Sequence, residues 1–292
     1  MRKLGILLVL ATIVVAGCKS GKQTDGKGEN EVDSALQVKV EAALLEGMKD
    51  CRADSGLVVV MDIENDAKVA TAGLAISGDT TGYKKAVFVD ESNICGLGRL
   101  EWYLKMLESG KVRLGDVVDT GNGVLVVGND TIFDNNWRRG GYGKITLKTG
   151  IAFNVNTSFF RCLSKIYGED KAIELFRFDK RLSAIEIAKE LKDSILLRND
   201  VYADSIKSAM RYYVTNGLGK YVNSEDMKVA GYSNIFMAGN NNFILDFYAY
   251  MPFENPKYIV VVRMKKKGLP ASASGMCAPI VRAICSVLPL RE

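Results

Sequence analysis

The feature that most constrains the fold is a pair of short apolar runs near the start of the chain. Residues 57–63, LVVVMDI, are compact and rich in β-branched side chains; Glu64-Asn65-Asp66-Ala67 follows, and then Lys68-Val69-Ala70-Thr71. Asn and Asp tolerate left-handed backbone and bond their own main chain, so two such runs around them make an antiparallel hairpin. An amphipathic helix comes before it, because Leu36, Val40, Ala43, Leu44 and Met48 repeat on one helical face and the pattern ends near Cys51. A helix followed at once by an antiparallel hairpin points away from a parallel, doubly wound sheet.

The remaining elements follow in order. A Gly/Thr-rich loop over 78–82 leads to the apolar run Ala86-Val87-Phe88-Val89, and then to a stretch, 90–110, whose Leu97, Leu100, Leu104 and Leu107 share one helical face. Asp90 or Ser92 is its expected N-cap and Ser109-Gly110 its stop. Residues 115–135 are dense in Gly, Asn and Asp and read as loops with small strands. Helices are expected over 146–153, 157–167, 169–177 and 183–192, the last opened by the capping-box pattern Ser183-Ala184-Ile185-Glu186. A further helix carries Ala203, Ile206, Met210 and Tyr213 and closes at Asn216-Gly217. Strand-like runs follow at 228–231, 242–250 and 258–263, and a helix over 276–288 ends the chain. With 48 % hydrophobic residues in 292 and no internal repeat or second linker, one large domain over 33–292 is the expected organisation.

The N-terminus reads differently. Arg2 and Lys3 precede an apolar run over 4–15 that is the length of a signal-peptide core and short for a membrane span. It ends in Val15-Ala16-Gly17-Cys18, small residues directly before a cysteine, which resembles the lipobox of bacterial lipoproteins. That resemblance implies that 1–18 is a lipoprotein signal segment, that Cys18 is the lipid anchor, and that the rest of the chain lies outside the cytoplasmic membrane. Residues 19–32 have almost no apolar content and read as a flexible tether. The five other cysteines then sit where disulfides are permitted, an odd number whose pairing the spacing does not reveal.

Histidine is absent, and this removes whole mechanisms at once. No Ser-His-Asp triad, Cys-His pair or histidine-ligated zinc site is available. The cysteines at 18, 51, 95, 162, 277 and 285 show no C-x-x-C spacing, which argues against a thiolate metal site or a thioredoxin-like pair. Serine, lysine and carboxylate chemistry remains, and no cofactor or metal is expected. The formal charge of +5 is spread along the chain; Lys265, Lys266 and Lys267 form the only tight basic run and read as a polar turn after a strand. A nucleic-acid partner is not expected.

The order helix, hairpin, helix, helical insertion, three strands and terminal helix resembles the transpeptidase domain of penicillin-binding proteins, especially class B. Local matches carry the resemblance. Gly56-Leu57-Val58-Val59-Val60-Met61-Asp62 is similar to that family's first strand, and Asp119-Thr120-Gly121-Asn122-Gly123 to its D-T-G-x-G segment. Asp134 and Gly143-Lys144-Ile145-Thr146-Leu147 follow at the family's spacing. MRYYVTNGLGKYV over 210–222 resembles its helix ending in A-N-G-G. Tyr248-Ala249-Tyr250-Met251-Pro252 and the run from Asn255-Pro256 over 255–262 resemble its last strand pair, and Gly275-Met276-Cys277-Ala278-Pro279 the start of its last helix. The resemblance spans about residues 55–290. It implies an α/β (α+β) fold: an antiparallel sheet flanked by N- and C-terminal helices, with a helical subdomain.

It also implies where chemistry would sit. The family acylates a serine with three motifs, S-x-x-K, S-x-N and K-T-G. On this sequence Ser92 takes the nucleophile position and Cys95 the position of the lysine base, where a thiol is a poor substitute. The second motif falls on Asn154-Val155-Asn156, with an amide in place of the proton-relaying serine. The third falls on Tyr232-Ser233-Asn234, where the cationic lysine is a tyrosine and the glycine an asparagine. Such groups act as a unit, so replacing them predicts loss of acyl transfer. The expected function is therefore a lipid-anchored envelope protein that binds a peptidoglycan-derived ligand or an envelope protein through Asn154, Asn156, Tyr232, Ser233 and Asn234. The alternatives are an active serine D,D-transpeptidase or carboxypeptidase with divergent motifs acting on stem peptides, and a structural lipoprotein without ligand.

Overall fold

The computed structural model describes residues 34–76, 82–86, 97–177, 182–224 and 226–289. The expected anchor Cys18, the tether, Ser92 and Cys95 lie outside them. Ten strands and eight helices are described: β1 (Ser55–Asp62), β2 (Lys68–Ile76), β3 (Tyr83–Lys85), β4 (Val117–Asp119), β5 (Val124–Val127), β6 (Asp130–Phe133), β7 (Lys144–Thr146), β8 (Ala230–Met237), β9 (Asn242–Met251) and β10 (Tyr258–Lys267), with α1 (Ser34–Cys51), α2 (Arg99–Glu108), α3 (Leu147–Ala152), α4 (Asn156–Tyr167), α5 (Glu169–Phe176), α6 (Ala184–Leu191), α7 (Val201–Asn216) and α8 (Ala273–Cys285).

The main sheet has the order β3-β2-β1-β10-β9-β8, and all its pairings are antiparallel. The hairpin expected from the Asn/Asp turn is β1–β2, with Asp66 in the left-handed region at φ 58°. β1, β9 and β10 are buried almost without interruption. A strand reads as a continuous apolar run only when both faces of the sheet are covered. α1 and α8 pack together on one face, and α6 and α7 cover the other. Gly47 permits the α1–α8 approach: a Cβ there would come within 2.3 Å of Ile280. β4 pairs with β7 and β5 with β6 in two small ladders beside the helical lobe.

The antiparallel α+β architecture is the one expected, and the helices of the lobe lie within two residues of their expected ends. The capping box is present, Glu186 N–H donating to Ser183 Oγ at 3.1 Å and Ser183 N–H to Glu186 Oε2 at 2.8 Å. Four expectations need correction. Lys265, Lys266 and Lys267 are not a turn but the end of β10, paired with Ile244, Phe243 and Asn242; the strand alternation exposes Lys265 and Lys267 and lays the alkyl stem of Lys266 inward. β8 runs on to Met237, well past the expected 231, and α8 starts at Ala273, capped by Ser272 Oγ accepting from Gly275 N–H. The helix expected to open at Asp90 or Ser92 begins at Arg99 with Gly98 as N-cap, φ 33°.

Cys51, Cys162, Cys277 and Cys285 are free thiols, so the described cysteines form no disulfide. Burial pushes the Cys162 thiol up to about 11 and Cys285 up to about 12. At neutral pH they behave as small apolar residues.

Within the sheet, Asp246 of β9 sits directly opposite Arg263 of β10. Their side chains are buried and bidentate, Arg263 Nε and Nη2 donating to the two carboxylate oxygens at 2.7 and 2.8 Å. Arg263 Nη1 also donates to the Leu182 carbonyl at 3.1 Å, tying the sheet to the segment before α6. Removing one partner strands the other charge in the core. Asp246→Ala and Arg263→Ala are each expected to cost about 3 kcal/mol in urea denaturation, and the double variant less than their sum.

Candidate functional site

β8 is an edge strand, and the site is built where the lobe meets it. α3 ends at Ala152, and Asn154 follows in the left-handed region at φ 51°, a conformation that Asn adopts more readily than most residues. The turn is tight, Val155 N–H donating to the Gly150 carbonyl at 2.9 Å, and it aims the Asn154 amide across to β8. Asn154 Nδ2 donates to the Ser233 carbonyl at 3.0 Å, and its Oδ1 accepts the Tyr232 hydroxyl proton. Ser233 Oγ in turn shares a hydrogen bond with the Tyr213 hydroxyl on α7. Four side chains from the α3–α4 turn, β8 and α7 thus close a clasp between lobe and sheet.

Tyr232 is buried behind this clasp. Its ring lies 4.9 Å from Tyr213 and 6.2 Å from Tyr248, centroid to centroid. Burial pushes its phenol up to about 12, so it is a neutral donor at physiological pH. Burial raises Tyr103, Tyr213, Tyr248 and Tyr250 in the same way.

One turn further on, Asn156 opens α4. Its Oδ1 accepts from Arg99 Nη2 at 2.6 Å, and its Nδ2 donates to the Phe133 carbonyl at 2.5 Å. Thr157, next to it, gives both its backbone N–H and its hydroxyl to Asp134, at 2.8 and 2.7 Å. Asp134 is buried, so α4 is held to the β5–β6 segment by a carboxylate on two of its first donors. The Arg99 guanidinium packs against the rings of Phe159 and Phe176, 5.1 and 5.6 Å from their centroids, the rings themselves 6.0 Å apart.

Asn154, Asn156, Ser233 and Asn234, with Arg99 and Ser272, line a cleft of about 380 Å³ between β8, the α3–α4 turn and the starts of α2 and α8. Four of the residues expected to form a site are therefore brought together. Tyr232 is not on the cleft wall but behind it, while Ser92 and Cys95 lie outside the described residues. Among the described residues no group of His, Cys, Asp and Glu could hold a metal ion. Arg99 was not singled out from the sequence. The available signal was small: a cation just after two glycines, at the start of an apolar helical face.

No protein-family model matches the sequence, and no characterised protein matches it closely enough to report. Solved structures do match. A peptidoglycan glycosyltransferase from Burkholderia ambifaria superposes with TM-score 0.68 at 15 % identity, over 87 % of this chain and 94 % of that one. The transpeptidase domain of penicillin-binding protein 3 from Burkholderia pseudomallei superposes with TM-score 0.69 at 14 % identity, over 89 % and 96 %. A D,D-transpeptidase domain from Legionella pneumophila gives 0.62 at 16 % identity, over 87 % and 96 %. The fold is that of penicillin-binding-protein transpeptidase domains, as the resemblance implied.

Two measurements follow from the clasp. Tyr232→Phe deletes the donor to Asn154 and is expected to cost about 1 kcal/mol in urea denaturation, with Asn154→Ala costing more because it also leaves the buried Tyr232 hydroxyl unpaired. Raised phenol pKa values stabilise the fold fully below pH 10, and this contribution is lost as pH rises towards 12. An absorbance titration at alkaline pH should show exposed tyrosines ionising first and the buried group ionising only with unfolding.

Proposed function

We propose that this chain is a lipid-anchored cell-envelope protein whose transpeptidase-fold domain binds a peptidoglycan-derived ligand without transferring acyl groups. The observation that carries the reading is the bond between Tyr232 and Asn154. In the aligned motifs these are the positions of the lysine and the serine that would manage a proton during serine acylation. Here the phenol keeps its proton at neutral pH and gives it to an amide oxygen. The amide nitrogen is committed to the Ser233 carbonyl. Neither group can take a proton from a hydroxyl, and an amide cannot relay one. Cys95, at the position of the second lysine, supplies no amine either.

Binding survives the loss of chemistry because it needs different things. The cleft offers amides and hydroxyls on its walls and aromatic rings at one end, a composition suited to a peptide rich in amide groups. No helix among the described residues is long and apolar enough to cross a membrane. Attachment in this reading rests on Cys18.

A fluorescent β-lactam is expected to leave no label on the denatured protein, while a stem peptide binds saturably in calorimetry. A covalent adduct on Ser92, found by mass spectrometry, would replace this reading with the divergent enzyme; failure to bind any stem peptide would leave the structural lipoprotein. In detergent phase separation the full chain should partition into the detergent phase and its Cys18→Ser variant into the aqueous phase.

A further inference from the structure

Sulfur atoms gather on the sheet face that α1 and α8 cover, away from the cleft. Cys51, the last residue of α1, places its Sγ 3.7 Å from Sδ of Met264 on β10. Met48, one turn earlier on α1, lies with its Sδ against Gly56 of β1, where a Cβ would come within 2.6 Å of it. Gly56 is the β1 residue directly opposite Met264. On the other side of Met264 the opposite residue is Leu245 of β9, and its carbonyl accepts the Cys277 thiol of α8 at 3.5 Å. Side chains of directly opposed residues stand on one face of an antiparallel sheet, so two thiols and two thioethers converge around Met264. They come from distant points of the chain, and no spacing motif announces them.

Thioethers widen the set of metal ligands beyond His, Cys, Asp and Glu, and soft sulfur selects soft ions. Two sulfurs that share an ion at about 2.3 Å each, with a tetrahedral angle between them, stand about 3.8 Å apart. Cys51 and Met264 are already close to that separation. Met48, Met264 and Cys277 are fully buried while Cys51 is half-buried, so an ion enters past Cys51 and ends in apolar surroundings. Burial raises the Cys51 thiol above its ordinary value, with the nearby Lys266 charge pulling the other way, and raises Cys277 well above it. Both thiols are protonated at neutral pH, and an ion of high sulfur affinity is needed to displace those protons.

We propose that Cys51, Met264, Cys277 and Met48 form a site for a soft monovalent cation, Cu(I), which staples α1 to the sheet and to α8. Binding breaks the S–H bonds of Cys51 and Cys277 and forms two thiolate–copper bonds. The two protons pass to solvent, the thioethers join as neutral donors, and copper stays Cu(I), so no electron moves. The Cys277 thiol gives up its weak bond to the Leu245 carbonyl in exchange. The site is independent of the ligand-binding reading of the cleft.

The test titrates the full chain in detergent, without oxygen, with Cu(I) supplied as its coloured bicinchoninate complex. The parent is expected to draw Cu(I) from the chelator and to melt at a higher temperature with the metal than without it, because the ion binds the folded state. Met264→Leu conserves volume and removes only the thioether, and it should weaken Cu(I) uptake at least about tenfold. Cys51→Ala, which removes a thiolate, should weaken it more. Zn(II) at the same concentration should leave the melting temperature unchanged. Where Cys51→Ala does not fold, Met264→Leu carries the test. Failure of the parent to take Cu(I), or uptake undiminished in either folded variant, overturns the site. Stabilisation by Zn(II) equal to that by Cu(I) overturns the assignment to a soft monovalent ion.

Discussion

The structure depends on one residue in an unusual conformation. Asn154 takes a left-handed backbone between two helices, and only from there does its amide reach both Tyr232 and Ser233 on the edge strand. The bonds are local in length and global in effect. They fasten the α3–α4 turn to β8 and, through Ser233 and Tyr213, to α7. The walls of the cleft are held at a set distance by this clasp, and under the proposed binding function such a preformed shape lowers the entropy lost on binding.

The same positions underlie the proposed absence of acyl transfer. An acyl-transfer site needs a group that accepts a proton and passes it on, and such a group must sit near its own titration midpoint. A buried phenol whose pKa is pushed up to about 12 is far from that midpoint, and an amide has none in the accessible range. What these residues do well is hold still. In the proposed reading a structural pair stands where a proton-transfer pair would, and the sheet around it is undisturbed, because Tyr232 packs its ring among Tyr213 and Tyr248 where the strand is already buried.

Much of the fold was legible in the sequence, for local reasons. The β1–β2 hairpin was written in an Asn/Asp turn between two apolar runs, and α6 in a capping box; both depend on neighbours a few residues away. The elements that were misread depend on distant ones. β8 extends to Met237 because β9 supplies a partner along its whole length, and the triple lysine continues β10 because the ladder with β9 does not stop where the apolar run does. The site was legible in part for the same reason. Asn154, Asn156, Ser233 and Asn234 could be placed by motif order, whereas the burial of Tyr232 and the aim of Arg99 follow from packing against α7, Phe159 and Phe176, which no spacing rule encodes.

The electrostatics of the cleft centre on one residue among those described. A cleft lined by neutral amides and hydroxyls discriminates weakly, since each such group can bond to water as well as to a ligand. One fixed cation changes that, provided nothing in the protein neutralises it. Two buried carboxylates of the lobe and the sheet are engaged elsewhere: Asp134 on the start of α4, and Asp246 on Arg263. Each of these carboxylates is buried and saturated with donors, and neither lines the cleft. Among the described residues that line the cleft, Arg99 is therefore the one charged side chain.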